Sequence, residues 1–246
     1  MSTLDSAHSD SSEEMPKPKI LMSSTDITRV KAWEIAEKTK VSAFARFKFF
    51  HRPNPEELTC TRFVKYYEPY LQISGSYTLN CYRKSMYVNP VDAKVVRVEV
   101  FDRIVTPKLR KKEDSTKDLG IEARELVQFT NSATIIFDQH GKEVVEELPK
   151  VKMTEIHESF YHEHQHEFLN AENLMEKAVE VLKKRLVKRP QDIDRVESER
   201  LTVDEITIIY LPVYFAKYIR TATNDARLIR IDGCTGSVTV LPITSL

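Results

Sequence analysis

The sequence predicts an α+β protein made of two related helix-plus-antiparallel-sheet units, an internal repeat joined by a central helical and hairpin segment. Strand-forming residues are concentrated between 63 and 105, where Val96, Val98 and Val100 alternate with charged residues as in a half-buried strand. A second strand-rich stretch begins at Ile206, and helix-like segments precede both stretches. Because helices and sheets bury their apolar faces against one another, each helix and the strands after it predict one packed unit.

The repeat is an ungapped alignment of the chain with itself at an offset of 143 residues. Residues 67–95 align with 210–238, and both copies have an aromatic strand, a proline, a polar turn and a valine strand in that order. Pro69 and Pro212 fall at equivalent places. Since proline lacks a donor for the strand ladder, we expect both prolines at a sheet edge or a bulge.

The repeat predicts four consecutive parts of the chain. The N-terminus is rich in serine and acidic residues, so we expect a disordered tail at 1–22. The first helix-and-strand unit is predicted at 23–106 and the second at 169–246. Between them, 107–168 is expected to form a connector with a charged loop, a hairpin and a His-rich helix.

Helices are predicted at four places along the chain. The first runs from Ile27 to about Phe50, a short one spans 121–129, a third covers 154–169, and the last begins after Asn170. A hairpin is expected around 138–141. The apolar stripe of the last helix consists of Leu174, Ala178, Val181, Leu182 and Leu186.

The charge balance and the cysteines limit the classes of partner and compartment. The chain has 37 Lys plus Arg and 37 Asp plus Glu, so no nucleic-acid partner is expected, although basic segments at 108–112 and 183–189 keep that alternative open. No apolar run reaches the roughly 18 residues of a membrane span. Three cysteines without a Cys-x-x-Cys pair fit a reducing compartment, and we expect the cytoplasm.

One segment matches a catalytic pattern, the H-E-x-x-H motif of His162, Glu163 and His166. On a helix the two histidines share a face and could bind zinc, with Glu163 as the alternative general base. Glu172 is the preferred third ligand, and Glu176, Glu180 and His157 are further candidates. The surrounding tract is so rich in His and Glu that composition alone produces the match. The preferred interpretation is therefore a solvated helix with no catalytic residue and no cofactor, and zinc is the alternative.

The C-terminal turn carries a short family-like pattern in Asp232, Thr235, Gly236 and Val238. This Asp-x-x-Thr-Gly-x-Val arrangement resembles the PepSY-type fold, in which a helix precedes two strands and the second strand runs into such a turn. The resemblance implies a role in binding or inhibiting peptidases, mostly outside the cytoplasm.

The functional prediction is a non-enzymatic protein-binding or scaffold module, with a partner protein added at a proline-bearing edge strand. Two alternatives stay open. One is a zinc-dependent hydrolase centred on His162, Glu163 and His166. The other is a nucleic-acid-binding protein that uses the two basic segments.

Overall fold

The structure is a computed structural model that describes residues 15–24, 26–45, 53–109, 115–145, 148–170 and 174–241. Short 3-10 turns lie at Pro55–Glu57 and Gln165–Glu167. The helices and strands in chain order are β1 (Lys19–Ser23), α1 (Arg29–Ala43), β2 (Leu58–Asp92), β3 (Val98–Val100), β4 (Arg103–Val105), β5 (Lys108–Leu109), β6 (Thr116–Phe137), β7 (Met153–Glu155), α2 (Glu158–Glu163), α3 (Leu174–Leu186), β8 (Ile193–Arg220), β9 (Ala226–Asp232) and β10 (Val238–Leu241).

Most of the described chain is strand, and the predicted α+β fold of two helix-plus-sheet units is wrong. Within the described ranges, eight of the ten strands form one mixed sheet with the order β10-β9-β8-β2-β6-β5, in which β1 also pairs with β8 and β7 pairs with β1. β1 runs parallel to β8, whereas β7 with β1, β9 with β10, β5 with β6 and β8 with β9 are antiparallel. Only β3 and β4 form a separate two-stranded sheet.

The aligned segments of the supposed repeat do not share a structure. The offset of 143 residues places the turn at 221–225, between β8 and β9, against residues 78–82, which lie inside the long strand β2. The turn forms because Asn224 takes a positive φ of 57° and Thr223 accepts a hydrogen bond from the Asp225 backbone. The alignment matched local residue types but not the path of the chain.

Two of the four predicted helices are not continuous helices in the structure. Residues 121–129 lie in β6, where exposed and half-buried side chains alternate from 122 to 130 as a strand requires. The predicted helix at 154–169 is divided into the end of β7, the six-residue α2 and a 3-10 turn. The first helix is confirmed over Arg29–Ala43, and the last over Leu174–Leu186.

The chain divides into two compact units whose segments interleave along the sequence. Unit A comprises Met1–Gly75, Thr134–Leu182 and Val203–Leu246, and unit B comprises Ser76–Ala133 and Lys183–Thr202. β2, β6 and β8 each contribute residues to both units. None of the helices in the described ranges has the length and apolar character needed to cross a membrane.

The core of unit A lies between α1 and the strands β8 and β9. The buried alanines of α1, Ala32 and Ala36, leave room for close packing on Tyr214, Ala216 and Ile229. The helix begins where the Thr28 side chain accepts a hydrogen bond from the Lys31 backbone. Tyr214 then donates a 3.0 Å hydrogen bond to the Ile27 carbonyl, which fixes the chain entering α1.

The strand proline Pro212 is expected at a sheet edge or a bulge, and it lies within β8, a strand with neighbours on both sides. β8 pairs with β1 through Thr207–Tyr210 and with β9 from Val213 onward. Leu211 and Pro212 take part in neither pairing. The amide hydrogen that proline lacks is therefore not needed there, because β8 changes its neighbour from β1 to β9 at this point. The Pro212 carbonyl accepts a 2.8 Å hydrogen bond from the backbone N–H of Gly233.

Both predicted tight turns are present. In the turn at 138–141 the Gly141 N–H donates to the Asp138 carbonyl, and the Asp138 N–H donates to the Lys142 carbonyl. Gly141 has a φ of +68°. At 232–236, Asp232 Oδ1 accepts hydrogen bonds from the Cys234 and Thr235 backbones. Asp and Gly are the residues that such turns require, which is why the sequence located both.

Candidate binding site

The hairpin of β3 and β4 in unit B presents an exposed aromatic side chain at a strained position. Val100 pairs with Arg103, so the turn has two residues, Phe101 and Asp102, with φ values of 48° and 61°. This mirror-image turn usually contains Asn-Gly, because a side chain at positive φ costs about 1–2 kcal/mol. Phe101 occupies the first position and is 92% exposed.

A pocket of about 890 Å³ lies beside this hairpin, entirely within unit B. Its volume falls in the range of roughly 300–1,000 Å³ that is usual for binding pockets. One side is formed by the hairpin and β5, and the other by the ends of β2 and β6. The lining residues are Met86, Val88, Val100, Phe101, Arg103, Ile104, Val105, Thr106, Lys108, Leu109, Asp118, Gly120, Ile121 and Glu122.

The apolar part of the lining is largely open to solvent. Met86, Val88, Ile104 and Leu109 are each more than half exposed, as is Phe101. Single exposed apolar residues are common on proteins, but a group around one pocket marks a surface for binding. The pocket therefore offers apolar contacts to a molecule larger than the cavity itself.

The charged residues of the rim balance one another. Arg103 and Lys108 come from the hairpin side, whereas Asp118 and Glu122 come from β6. Lys108 and Asp118 are also directly opposite in the register of β5 and β6. Among the described lining residues there are thus two charges of each sign, which favour neither an anionic nor a cationic ligand.

The pocket opens beside an unpaired stretch of β6. In the part of the chain that the structure describes, β6 has β2 on one side and β5 on the other, and β5 pairs only with Lys117 and Asp118. Within the described residues, no strand is paired with the outer edge of β6 in unit B from Leu119 onward, and an edge of this kind presents backbone donors and acceptors. Gly120 keeps the pocket open, because a Cβ there would lie 3.1 Å from Met86 Sδ.

Ion pairs hold β2, β6 and β8 together in this unit. Glu125 on β6 accepts hydrogen bonds from Tyr87 Oη at 2.5 Å and Arg83 Nε at 2.7 Å, both on β2. Arg124 points away from that pair and contacts Asp194 on β8 at 3.0 Å. These contacts fix the position of β6 next to the pocket.

The hydrogen bond from Tyr87, followed by that from Arg83, lowers the pKa of Glu125 to about 2. A lowered folded-state pKa stabilises the fold above the ordinary carboxyl pKa, and this contribution is lost as the pH falls from that value towards 2. We expect the Glu125 carboxyl carbon to titrate near pH 2 by NMR. Tyr87→Phe should move its midpoint upward. An unchanged midpoint in Tyr87→Phe would contradict the assigned cause.

The His-rich segment lies in unit A and is exposed. α2 ends at Glu163, and His166 lies in the following 3-10 turn, so the two histidines of the motif are not on one continuous helix. His162 and His166 each face a carboxylate at 3.8 Å, from Glu158 and Glu167 respectively. The described residues contain no group of three arranged to hold a metal ion. Because Glu172 lies outside them, the zinc site stays a prediction.

The two basic segments have different surroundings. Only Lys108 and Leu109 of 108–112 lie within the described ranges, in β5 at the pocket. In 183–189, Arg189 makes a paired hydrogen bond to the Glu199 carboxylate, which also accepts from Tyr77 at 2.7 Å. Part of the positive charge in the second segment is thus neutralised within unit B.

Sequence reasoning missed the pocket residues. Met86 and Val88 fall in the predicted strand-rich stretch at 63–105, where nothing in the sequence indicates that both side chains are exposed. One local signal was present, the two-residue interruption by Phe101 and Asp102 between alternating valine strands. It lacks the usual glycine and was therefore not recognised as a hairpin turn.

Comparison of the chain with protein-family models, with curated protein sequences and with solved structures found no match. The resemblance of 232–238 to PepSY-type turns therefore stays a prediction.

Proposed function

We propose that this chain is a non-enzymatic protein-binding module that holds an extended segment of a partner protein at the unit B pocket. The observation that carries the proposal is the group of exposed apolar residues around a pocket that opens beside the unpaired edge of β6. The pocket and the outer edge of β6 are adjacent, since Gly120, Ile121 and Glu122 of β6 also line the pocket.

An extended segment fits this arrangement better than a compact ligand. A strand added to β6 would receive backbone hydrogen bonds along its whole length, while every second side chain would point to the same face of the sheet as Gly120. On that face the side chains would enter the pocket. The backbone would supply affinity and the pocket would supply selectivity for apolar residues at alternate positions.

The test is a selection of displayed peptides on the full-length protein, immobilised sparsely so that its copies do not meet. We expect the selected peptides to carry apolar residues at alternate positions. Ile104→Asp places a charge among the apolar lining and Gly120→Leu fills the floor, so each should weaken binding at least about tenfold. Affinities would be measured by titration calorimetry.

Val196→Asp is the matched control, because Val196 is an exposed apolar residue of unit B outside the pocket. It should bind the selected peptides as the unaltered protein does. Circular dichroism of every variant verifies the fold. Peptides that bind equally to Ile104→Asp and Gly120→Leu, or a selection that yields no alternating sequence, would overturn the proposal.

A further inference from the structure

We infer that β10, an outer strand of the sheet in unit A, pairs with β10 of a second copy of this chain. The two strands would run antiparallel about a two-fold axis at Thr239, so that Val238 faces Val240 of the partner subunit. This strand belongs to unit A and the pocket to unit B, so the inference does not depend on the proposed function. It joins the sheets of two copies edge to edge.

The outer edge of β10 carries no charge. Within the described residues, β10 pairs only with β9, so it is an end strand of the eight-stranded sheet. The other two outer strands that the structure describes have charged residues, Lys108 in β5 and Glu155 in β7. Such charges hinder the addition of another strand, whereas β10 has the sequence Val-Thr-Val-Leu. An uncharged strand fits this edge best, and β10 of a second copy is such a strand.

The hydrogen bonds of the β9–β10 hairpin show which backbone groups of β10 point outward. The Asp232 N–H donates to the Ser237 carbonyl at 2.9 Å, so the backbone groups of Ser237 face β9. The direction alternates along an antiparallel strand, and Thr239 therefore also faces β9. The N–H and C=O groups of Val238 and Val240 face the opposite way, where a partner strand can pair with them.

These directions select the centre of the pairing. With the axis at Thr239, Val238 forms a hydrogen-bonded pair with Val240 of the partner subunit, and the symmetry forms this pair twice. An axis at Val240 would place Val238 opposite Pro242, which has no N–H to donate. An axis at Val238 would place Val240 opposite Gly236, whose N–H is already bonded within its own turn. The axis at Thr239 therefore uses all of the outward groups.

The same register covers exposed apolar surface. Val238 and Val240 are 38% and 41% exposed, and they lie opposite Ile231 and Ile229 of β9. Because facing residues of a strand pair share a face, both valines lie on the side of the sheet that α1 covers. Pairing would bring the valines of the two copies together on that side. So short a contact stays below the roughly 1,200 Å² of standard interfaces, so we expect a weak, reversible dimer.

Sedimentation velocity of the full-length protein, from micromolar to near-millimolar concentrations, tests the inference. We expect a reversible dimer. Val240→Pro should weaken it by at least about tenfold, because it removes an outward N–H and leaves the hydrogen bonds to β9 in place. Val240→Thr keeps both the N–H and the β-branched shape, so it is the matched control and should retain the dimer. Circular dichroism of both variants verifies the fold.

Opposite charges test the register. Val238→Lys and Val240→Glu should each weaken the dimer, because each places a charge against a valine of the partner subunit. The double variant Val238→Lys/Val240→Glu should restore it, since every introduced lysine would then face a glutamate of the other copy. A double variant that dimerises no better than the two single variants would overturn the pairing about Thr239.

Disulfide cross-linking gives an independent test of the axis. In a Cys60→Ser background, air oxidation of Thr239→Cys should give a covalent dimer, because facing residues at the axis have the Cα separation that a disulfide requires. Glu34→Cys, at an exposed position of α1, should give none. A protein that stays monomeric at every concentration, or a Val240→Pro variant that dimerises like the unaltered protein, would overturn the inference.

Discussion

Removing one partner of the buried ion pair between Glu68 and Arg230 is expected to lower the free energy of unfolding by about 3–5 kcal/mol. Arg230 Nε donates to Glu68 Oε1 at 2.8 Å, and its terminal nitrogen donates to Oε2. Gln139 adds a third hydrogen bond at 3.3 Å. The Glu68 side chain is 3% exposed and that of Arg230 is 18% exposed. Glu68→Ala or Arg230→Met would leave the other charge buried without its partner.

The double variant Glu68→Met/Arg230→Met separates the cost of an unpaired charge from the contribution of the pair. Replacing a buried pair with apolar residues of similar volume is often neutral, so the double variant should regain most of the loss. The exposed pair of Lys19 and Glu205 is the matched control, and Lys19→Met should leave the urea midpoint nearly unchanged. Urea unfolding measures all of these variants. Single variants at Glu68 and Arg230 that cost no more than the control would contradict the prediction.

Elements specified by neighbouring residues could be predicted from the sequence. In α3 the positions Leu174, Ala178, Leu182 and Leu186 of the predicted stripe are all buried, because helical spacing alone places them on one face. The turn at 232–236 was predicted because Asp232 and Gly236 carry the side-chain hydrogen bonds and the positive φ of the turn themselves. No distant contact is needed to produce either signal.

Charged strands could not be predicted in the same way. A helix was predicted at 121–129 and strand structure only from Ile206 onward, yet 121–129 and 193–205 lie in β6 and β8. Their strand structure depends on ladders with neighbours that are distant in sequence, as the ion pair of Arg83 with Glu125 shows. Tertiary pairing overrides the weak local preference of such segments.

The candidate binding site depends even more on distant pairing. Its lining comes from β2, β3, β4, β5, β6 and the hairpin turn, which are brought together by strand pairing and not by a sequence motif. The free edge of β6 is visible only once β5 is known to pair with two of its residues. The sequence predicts strand addition at a proline-bearing edge strand, whereas Pro212 lies where β8 changes its neighbour from β1 to β9.

Gly233→Ala is expected to lower the free energy of unfolding by about 3 kcal/mol, the upper end for an overpacked site. A Cβ at this position would lie 2.7 Å from the Pro212 carbonyl oxygen and 2.9 Å from Pro212 Cβ and Cγ. Neither group can move aside easily, because the same carbonyl accepts the hydrogen bond from Gly233. Ile27 also donates to the Gly233 carbonyl at 3.0 Å, so the chain entering α1 would shift with the turn.

Gly120→Ala is the matched control for this prediction, because it makes the same chemical change where the atom met is the end of the flexible Met86 side chain. It should cost under about 1 kcal/mol. Thermal and urea unfolding of the two variants compare a rigid neighbour with a movable one. If Gly233→Ala unfolded like Gly120→Ala, the contact between Pro212 and Gly233 would not hold β8 and the 232–236 turn together. The change of neighbour at Pro212 would then need another source of stability.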